Sequence, residues 1–213
     1  MLELILKGGF MMYPLVVCSL ISLAVVYDRW LAFRENRKVD TRALRAKVLA
    51  RLREDDVEGA IAECAATGGP LASVLLAGLR SYQQLRQKNE SSETMRLVVG
   101  QVMEDYSAQA LAVVNKRLDV LTTIGTAAPL LGMTGTVTGM ILSFKGMMDQ
   151  AGVGAGDEVA KGISEALITT AAGLIIALMA VIPQSVYNRW SDEIELEIEE
   201  STSEIVEFIL THH

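Results

Sequence analysis

The sequence predicts an all-α integral membrane protein with three transmembrane helices, the second and third extending into a helical cytoplasmic domain. Of its 213 residues, 51% are hydrophobic and 21% are charged, and the charges are unevenly spread. Three stretches contain no charged residue or histidine: Gly8–Tyr27, Val120–Phe144 and Ala166–Asn188. Each is long enough to cross a bilayer, because a helix of about 20 residues spans the hydrocarbon core. No stretch shows the alternating pattern of a β-strand.

The basic residues predict how these helices are oriented. Of 19 Lys and Arg residues, 15 lie in Arg29–Arg117, between the first and second apolar spans. The positive-inside rule places that segment in the cytoplasm. The N-terminus is then expected outside and the C-terminus in the cytoplasm. The net charge of −7 gives no support for binding nucleic acid.

Residues 1–33 are predicted to hold the N-terminal segment and the first transmembrane helix, and residues 34–118 the cytoplasmic helical domain. In that domain, Asp40 or Thr41 can cap a helix that runs to about Ala66. Gly68-Gly69-Pro70 ends this helix, and Leu71–Arg86 follows as a second one.

From Glu93 the helical pattern runs on into the second span, so one helix of roughly 50 residues is predicted. The second transmembrane helix is assigned to residues 119–145 and a short periplasmic loop to 146–161. The third helix is assigned to 162–189. Residues 190–213 are expected to form an acidic cytoplasmic helix, with Ile194, Ile198, Ile205 and Ile209 at helical spacing.

The residue types that carry most enzyme chemistry are sparse. The two cysteines, Cys18 and Cys64, are far apart in sequence, and the two histidines, His212 and His213, stand together at the end. No Ser/His, Cys/His or metal-ligand constellation lies in or near the spans. We therefore expect no enzyme activity, no catalytic residues, no metal and no cofactor.

Small residues form a stripe along the second span. Gly125, Gly132, Gly139 and Gly146 recur every seven residues, and Gly135 lies between two of them. Small residues let helix backbones approach closely in membranes. The stripe predicts tight helix packing, either within one chain or between copies.

A polar line follows the same helix at a different angle: Thr122, Thr126, Pro129, Thr136 and Ser143. A membrane threonine can simply bond a carbonyl of its own helix. A whole line of hydroxyls, with a proline that frees a carbonyl, favours the lining of a polar pathway.

Glu165 is the acidic residue at the edge of the third apolar span. It is either an interfacial residue at a helix N-terminus, where a carboxylate suits the dipole, or a cation relay group near a pore mouth. Thr169 lies four residues later on the same helical face, whereas Thr170 lies about 140° away. Helix geometry therefore pairs Glu165 with Thr169.

Two segments resemble the helix signatures of the MotA/TolQ/ExbB proton-channel family. They are Ala127–Ile141, AAPLLGMTGTVTGMI, and Gly162–Leu174, GISEALITTAAGL. Tyr13-Pro14-Leu15 and Asp28-Arg29 are similar to its first helix. Three spans fit its ExbB/TolQ-like branch.

The resemblance implies a homopentamer in the bacterial inner membrane, arranged around the helix of a single-span partner of the ExbD/TolR/MotB type. That partner would supply a membrane aspartate, and proton flow would energise work at the cell envelope. Thr136 and Thr170 match the family's pore-lining threonines and Glu165 its third-helix glutamate, so the resemblance prefers Thr170 where helix geometry prefers Thr169. A passive oligomeric scaffold, and a sodium-driven, gliding or flagellar-type stator of the same family, remain alternatives.

Overall fold

The structure, a computed structural model, describes residues 9–37, 39–149 and 155–211. The described residues form seven α-helices and contain no strand. The helices are α1 (Met12–Asn36), α2 (Thr41–Arg53), α3 (Val57–Thr67), α4 (Gly69–Gln87), α5 (Ser92–Val114), α6 (Leu118–Asp149) and α7 (Ala155–Thr211). His212 and His213 lie outside the described residues.

Three helices are long and apolar enough to cross a membrane, and they are α1, α6 and α7. Their outward surfaces carry large apolar side chains: Leu130, Leu142, Leu167 and Ile182 are each more than 60% exposed. Such surface suits hydrocarbon rather than water. The predicted class, an all-α membrane protein with three transmembrane helices, is confirmed.

The described residues divide into two compact units. The first contains the residues up to Arg29 together with Arg117–Val186, and so holds most of the apolar span sequence. The second contains Trp30–Lys116 and the residues from Tyr187 onward. Helices α1 and α7 each contribute residues to both units.

In the first unit, α6 and α7 pack as an antiparallel pair with glycines at the contact. A Cβ placed on Gly125 would lie 2.6 Å from Cγ2 of Val181, and one on Gly139 would lie 2.8 Å from Cβ of Ala166. Residue numbers rise along α6 as they fall along α7. Because the backbones meet where a side chain is missing, glycine sets the distance between these helices.

The second unit has a conventional apolar core. Buried side chains of α2, α3, α4 and α5 meet those of the last part of α7, which contributes Ile198, Ile205 and Ile209. The acidic face of α7 is tied to α2 by Arg45, whose guanidinium lies 2.9 Å from Glu200. This unit is a helical bundle.

The helix predicted from residue 40 to about Ala66 is wrong, because it is two helices. Helix α2 ends at Arg53, and Asp55 adopts a left-handed φ of +63°. Asp56 then caps α3 by accepting a 2.9 Å hydrogen bond from the Gly59 amide. That bond, with a second from Arg51, holds the pKa of Asp56 below its usual value. An aspartate pair in turn geometry thus competes with helix continuation.

The single helix predicted from Glu93 into the second span is also interrupted. Helix α5 ends at Val114 and α6 begins at Leu118. Arg117 between them has a left-handed φ of +68°, which a continuous α-helix cannot contain. By contrast, α7 is one unbroken helix from Ala155 to Thr211. The segment 146–161, which was assigned to a loop, is partly helical. Helix α6 runs to Asp149, and α7 begins at Ala155.

Candidate ion pathway

Glu165 lies inside α7, more than two turns after its start at Ala155. The alternative that placed it at a helix N-terminus is therefore wrong, because the amides around it already belong to the helical ladder. Its carboxylate lies directly against Gly9, in the segment that precedes α1, and the side chain is half-buried. The structure thus brings an acidic group to one end of the paired helices.

Thr169 shares the face of Glu165, as helix geometry predicts. Its hydroxyl donates to the backbone carbonyl of Glu165 at 2.9 Å. The residue is 1% exposed, and its Cγ2 lies 2.5 Å from the position that a Cβ on Gly135 would occupy. Within this protomer, Thr169 is part of the contact between α6 and α7.

Thr170 makes a different contact. Its hydroxyl donates a 2.9 Å hydrogen bond to the carbonyl of Gly132 on α6. A Cβ on Gly132 would lie 3.1 Å from the Cα of Thr170, so the missing side chain is what permits this approach. The hydroxyl is half-buried at the helix pair and connects two residues of the family motifs.

Hydroxyls of the polar line on α6 donate hydrogen bonds to backbone carbonyls of their own helix. Thr136 donates to the Met133 carbonyl at 2.7 Å, and Ser143 donates to the Gly139 carbonyl at 2.8 Å. Thr136 and Pro129 are both half-buried. A hydroxyl that donates to its own helix keeps its oxygen lone pairs available, so Thr136 can still accept a hydrogen bond from a ligand or from water.

The four glycines assigned to helix packing, Gly125, Gly132, Gly135 and Gly139, all lie against α7 in this chain. Gly173 completes the contact from the other side, because a Cβ there would lie 2.6 Å from the carbonyl oxygen of Ala128. The close approach thus runs along the length of the pair.

Two relationships escaped sequence reasoning. The side-chain amide of Gln184 on α7 donates a short hydrogen bond to the hydroxyl of Thr122 on α6. Gly9 lies against Glu165, as described above. Gln184 carried a usable signal, since it is an amide inside an uncharged span. Gly9 carried no such signal, because its contact with Glu165 joins residues that are far apart in the chain.

The assembled site offers hydrogen-bonding groups without a central charge. Between Glu165 and Arg189 on α7, and between Asp119 and Lys145 on α6, the sequence contains no charged residue. The described residues also contain no group of three or more His, Cys, Asp or Glu that could hold a metal ion. The hydroxyls can solvate a protonated group or water between the two ends of the helices.

An all-α membrane protein with a glycine-packed helix pair, lined by threonines and flanked by one glutamate, belongs to the class of channel and transport subunits. Residues 66–200 match the model of the MotA/TolQ/ExbB proton channel family, which is more than half of the chain. The chain belongs to this family, in its ExbB/TolQ-like branch, and is therefore a proton-channel subunit.

Curated relatives agree with this placement. An ExbB-like biopolymer transport protein of Synechocystis is 34% identical over 190 residues, which cover 85% of this chain and 68% of the relative. Biopolymer transport protein ExbB1 of Vibrio cholerae is 29% identical over 192 residues, covering 90% and 80%. The Tol-Pal system protein TolQ of Pseudomonas aeruginosa is 34% identical over 134 residues, covering 58% and 52%.

Proposed function

We propose that this chain forms a homopentameric ring in the inner membrane and, with an ExbD/TolR-like partner, uses the proton motive force to energise work at the cell envelope. One observation carries the proposal. The paired helices hold hydroxyls along their length and a carboxylate at one end, but no carboxylate near the middle of either span. Ionisable residues inside a membrane commonly mark proton relays. We therefore expect a second chain to supply a protonatable group near the middle of the bilayer.

The threonines define where such a group would dock. Thr170 and Thr136 lie on facing helices, and each hydroxyl can accept a hydrogen bond from a neutral carboxyl. In its ionised form the same carboxyl would accept hydrogen bonds instead. Alternating between these two states would let the partner bind and release a proton as it moves within the ring.

The orientation follows from charge. The basic segment between the first and second spans would lie in the cytoplasm, which places the Glu165 end of the helices toward the periplasm. Glu165 would then be the acidic group at the outer end of the third uncharged span. The eight acidic residues between Asp192 and Glu207 would lie at the cytoplasmic exit, where they attract cations.

Proton flux into proteoliposomes tests the proposal. The chain is reconstituted alone and with a single-span ExbD/TolR-like protein that carries an aspartate in its span. We expect flux only with both proteins, and loss of flux when the partner's aspartate is replaced by asparagine. Native mass spectrometry in mild detergent should show a closed ring.

Three outcomes would contradict parts of the proposal. Strong flux through the chain alone would remove the need for a partner. A ring that binds the partner but conducts nothing would indicate a passive scaffold. Flux that follows a sodium gradient at constant pH would replace the proton with sodium.

A further inference from the structure

The segment before α1 makes an unusual contact with Glu165. The carboxylate of Glu165 occupies the space that a side chain at position 9 would fill, and its Cγ lies 3.5 Å from where that Cβ would stand. Glycine is therefore the residue that lets the carboxylate sit where it does. Any other residue at position 9 would have to displace it.

Gly9 also has a backbone conformation that favours glycine. Its φ is +66°, in the left-handed region. The turn it begins is closed by a 3.1 Å hydrogen bond from the Met12 amide to the Gly9 carbonyl. Because α1 starts at Met12, this turn fixes the position of Gly9 relative to the first turn of the helix.

The same turn is anchored against the helix pair. Met12 is buried, and the Cβ of Met11 lies 3.5 Å from where a Cβ on Gly135 would stand. Gly135 is also where the methyl group of Thr169 packs. The turn therefore contacts α6 and α7 together, at the end of the pair where Glu165 lies.

From these contacts we infer that Gly9 is a positioning residue for the Glu165 carboxylate, holding it at the outer entrance of the ion pathway. The inference rests on the proposed function, because it assumes that Glu165 takes part in conduction. The missing side chain sets where the carboxylate sits, and the anchored turn keeps it there. Conduction then depends on a residue that precedes the first helix, α1.

Gly9→Ala is the direct test, because a methyl group there meets the end of a flexible side chain rather than backbone. The protein should fold with the Glu165 carboxylate displaced. Gly68→Ala is the matched control: Gly68 has a φ of +68°, but a Cβ there meets nothing within 4 Å. It reproduces the backbone strain without the collision.

Proton flux is measured in proteoliposomes with the ExbD/TolR-like partner. Gly9→Ala should lower flux by up to about a hundredfold, the loss that a misplacement of about 1 Å can cause in an enzyme. Gly68→Ala should leave flux near that of the wild type. In the Gly9→Ala background, Glu165→Asp should restore part of the flux, because its side chain is one methylene shorter and clears the methyl group. In the wild-type background Glu165→Asp should lower it.

A disulfide experiment tests the contact without relying on conduction. Gly9→Cys combined with Glu165→Cys should cross-link on mild oxidation, whereas Gly156→Cys with Glu165→Cys should not, because a Cβ at Gly156 meets nothing within 4 Å. Each single cysteine variant controls for Cys18 and Cys64. Failure of the first pair to cross-link would overturn the inference.

The two proposals fail in different ways. If Glu165→Gln conducts fully, Glu165 is not part of the pathway and its role in the proposed function is wrong. If Glu165→Gln abolishes flux but Gly9→Ala conducts like Gly68→Ala, the pathway stands and the positioning role of Gly9 is wrong. Additive losses in Gly9→Ala and Glu165→Asp, with no rescue, would also overturn that role.

Discussion

The hydroxyl of Thr170 donates a hydrogen bond of 2.9 Å to the backbone carbonyl of Gly132 on the facing helix. Thr169, one residue earlier, donates to its own helix through the Glu165 carbonyl at 2.9 Å. Neighbouring threonines with the same chemistry therefore serve different contacts. The Thr170 hydroxyl connects the two helices that carry the family motifs, whereas the Thr169 hydroxyl donates within α7 and the Thr169 methyl group packs against Gly135.

Replacing these threonines by valine separates a role in conduction from a role in packing. Valine keeps the shape of threonine and removes its hydroxyl. We expect Thr136→Val and Thr170→Val each to lower partner-dependent proton flux sharply, while the ring assembles normally. For Thr170→Val the lost interhelical bond should cost about 0.6 kcal/mol of stability, the average for such bonds in membranes.

Thr169→Val is the internal control for this series. Thr169 is 1% exposed, whereas Thr136 is only half-buried, and the methyl group that packs against Gly135 is retained in valine, so flux should stay near that of the wild type. A large loss in Thr169→Val with none in Thr170→Val would show that the resemblance places the pore-lining threonine one residue too late. Full activity of the Thr136→Val/Thr170→Val double variant would remove both from the mechanism.

Gly173 should be the least replaceable glycine of the helix pair. A Cβ there would lie 2.6 Å from the Ala128 carbonyl oxygen and 3.1 Å from the Cα of Gly132. Both atoms are backbone, so relief requires the helices to separate. Gly173→Ala should lower the stability of the purified ring by about 1–3 kcal/mol, the usual cost of overpacking.

Thermal unfolding in detergent, followed by circular dichroism, measures this effect. Gly156→Ala is the control in the same helix, since its Cβ would meet nothing within 4 Å. Alanine is intrinsically the better helix former, so that variant should be neutral or slightly more stable. A Gly173→Ala protein that melts like Gly156→Ala would show that α6 and α7 do not meet as closely as the structure has them.

Burial makes the stability of the helical bundle in the second unit sensitive to alkaline pH. Cys64 is 1% exposed, and desolvation, assisted by the charge of Glu63, raises the pKa of its thiol to about 11 from 9.0. The folded state therefore favours the protonated thiol more than the unfolded state does. The contribution of the buried thiol to the stability of the folded state is complete below pH 9 and is lost as the pH rises toward 11.

We expect the midpoint temperature of thermal unfolding to decrease as the pH rises from 9 to 11. Part of that decrease should be absent in Cys64→Ala. Alkylation of Cys64 by iodoacetamide at pH 8, followed by peptide mass spectrometry, should be slow in the folded protein and fast in urea. Equal alkylation rates in the two conditions would mean that the thiol is accessible in the native bundle.

The helices of this protein could be predicted from its sequence more readily than their interruptions or contacts. Uncharged length identifies the three spans, and Gly68-Gly69-Pro70 marks a true break. No glycine marks the breaks at Asp55 and Arg117, and only aspartate is among the residue types that more often adopt a positive φ, so the sequence gives little warning of the break at Arg117. Their conformations are set by neighbouring caps and packing.

In the candidate site, too, the sequence predicts some features and leaves others undetermined. Glycine spacing predicts a close helix contact, but it does not say which side of α7 is met. The bond from Thr170 to Gly132 depends on the register of two antiparallel helices, which local sequence does not encode. The contact of Gly9 with Glu165 joins residues that are far apart in the chain, so a pattern within a single helix cannot reveal it.

The bond between Gln184 and Thr122 should couple the two helices at the end opposite Glu165. The Gln184 amide donates to the Thr122 hydroxyl, and Thr122 also donates weakly to the Leu118 carbonyl, at 3.4 Å. Because Gly125 meets Val181 nearby, this bond lies beside a glycine contact and closes that end of the pair. It is a structural link rather than a titratable one, since neither group changes charge.

A double-mutant cycle with Gln184→Leu and Thr122→Val measures the link. Leucine and valine keep approximate size and remove hydrogen bonding, so the coupling energy reports the bond itself. We expect about 0.6 kcal/mol from unfolding in detergent, the average measured for interhelical hydrogen bonds in a membrane protein. The pair Gln184→Leu with Thr136→Val is the control, because Thr136 bonds to Met133 on its own helix and should show no coupling. Strictly additive losses for Gln184→Leu and Thr122→Val would mean that the amide and the hydroxyl do not meet in the assembled protein.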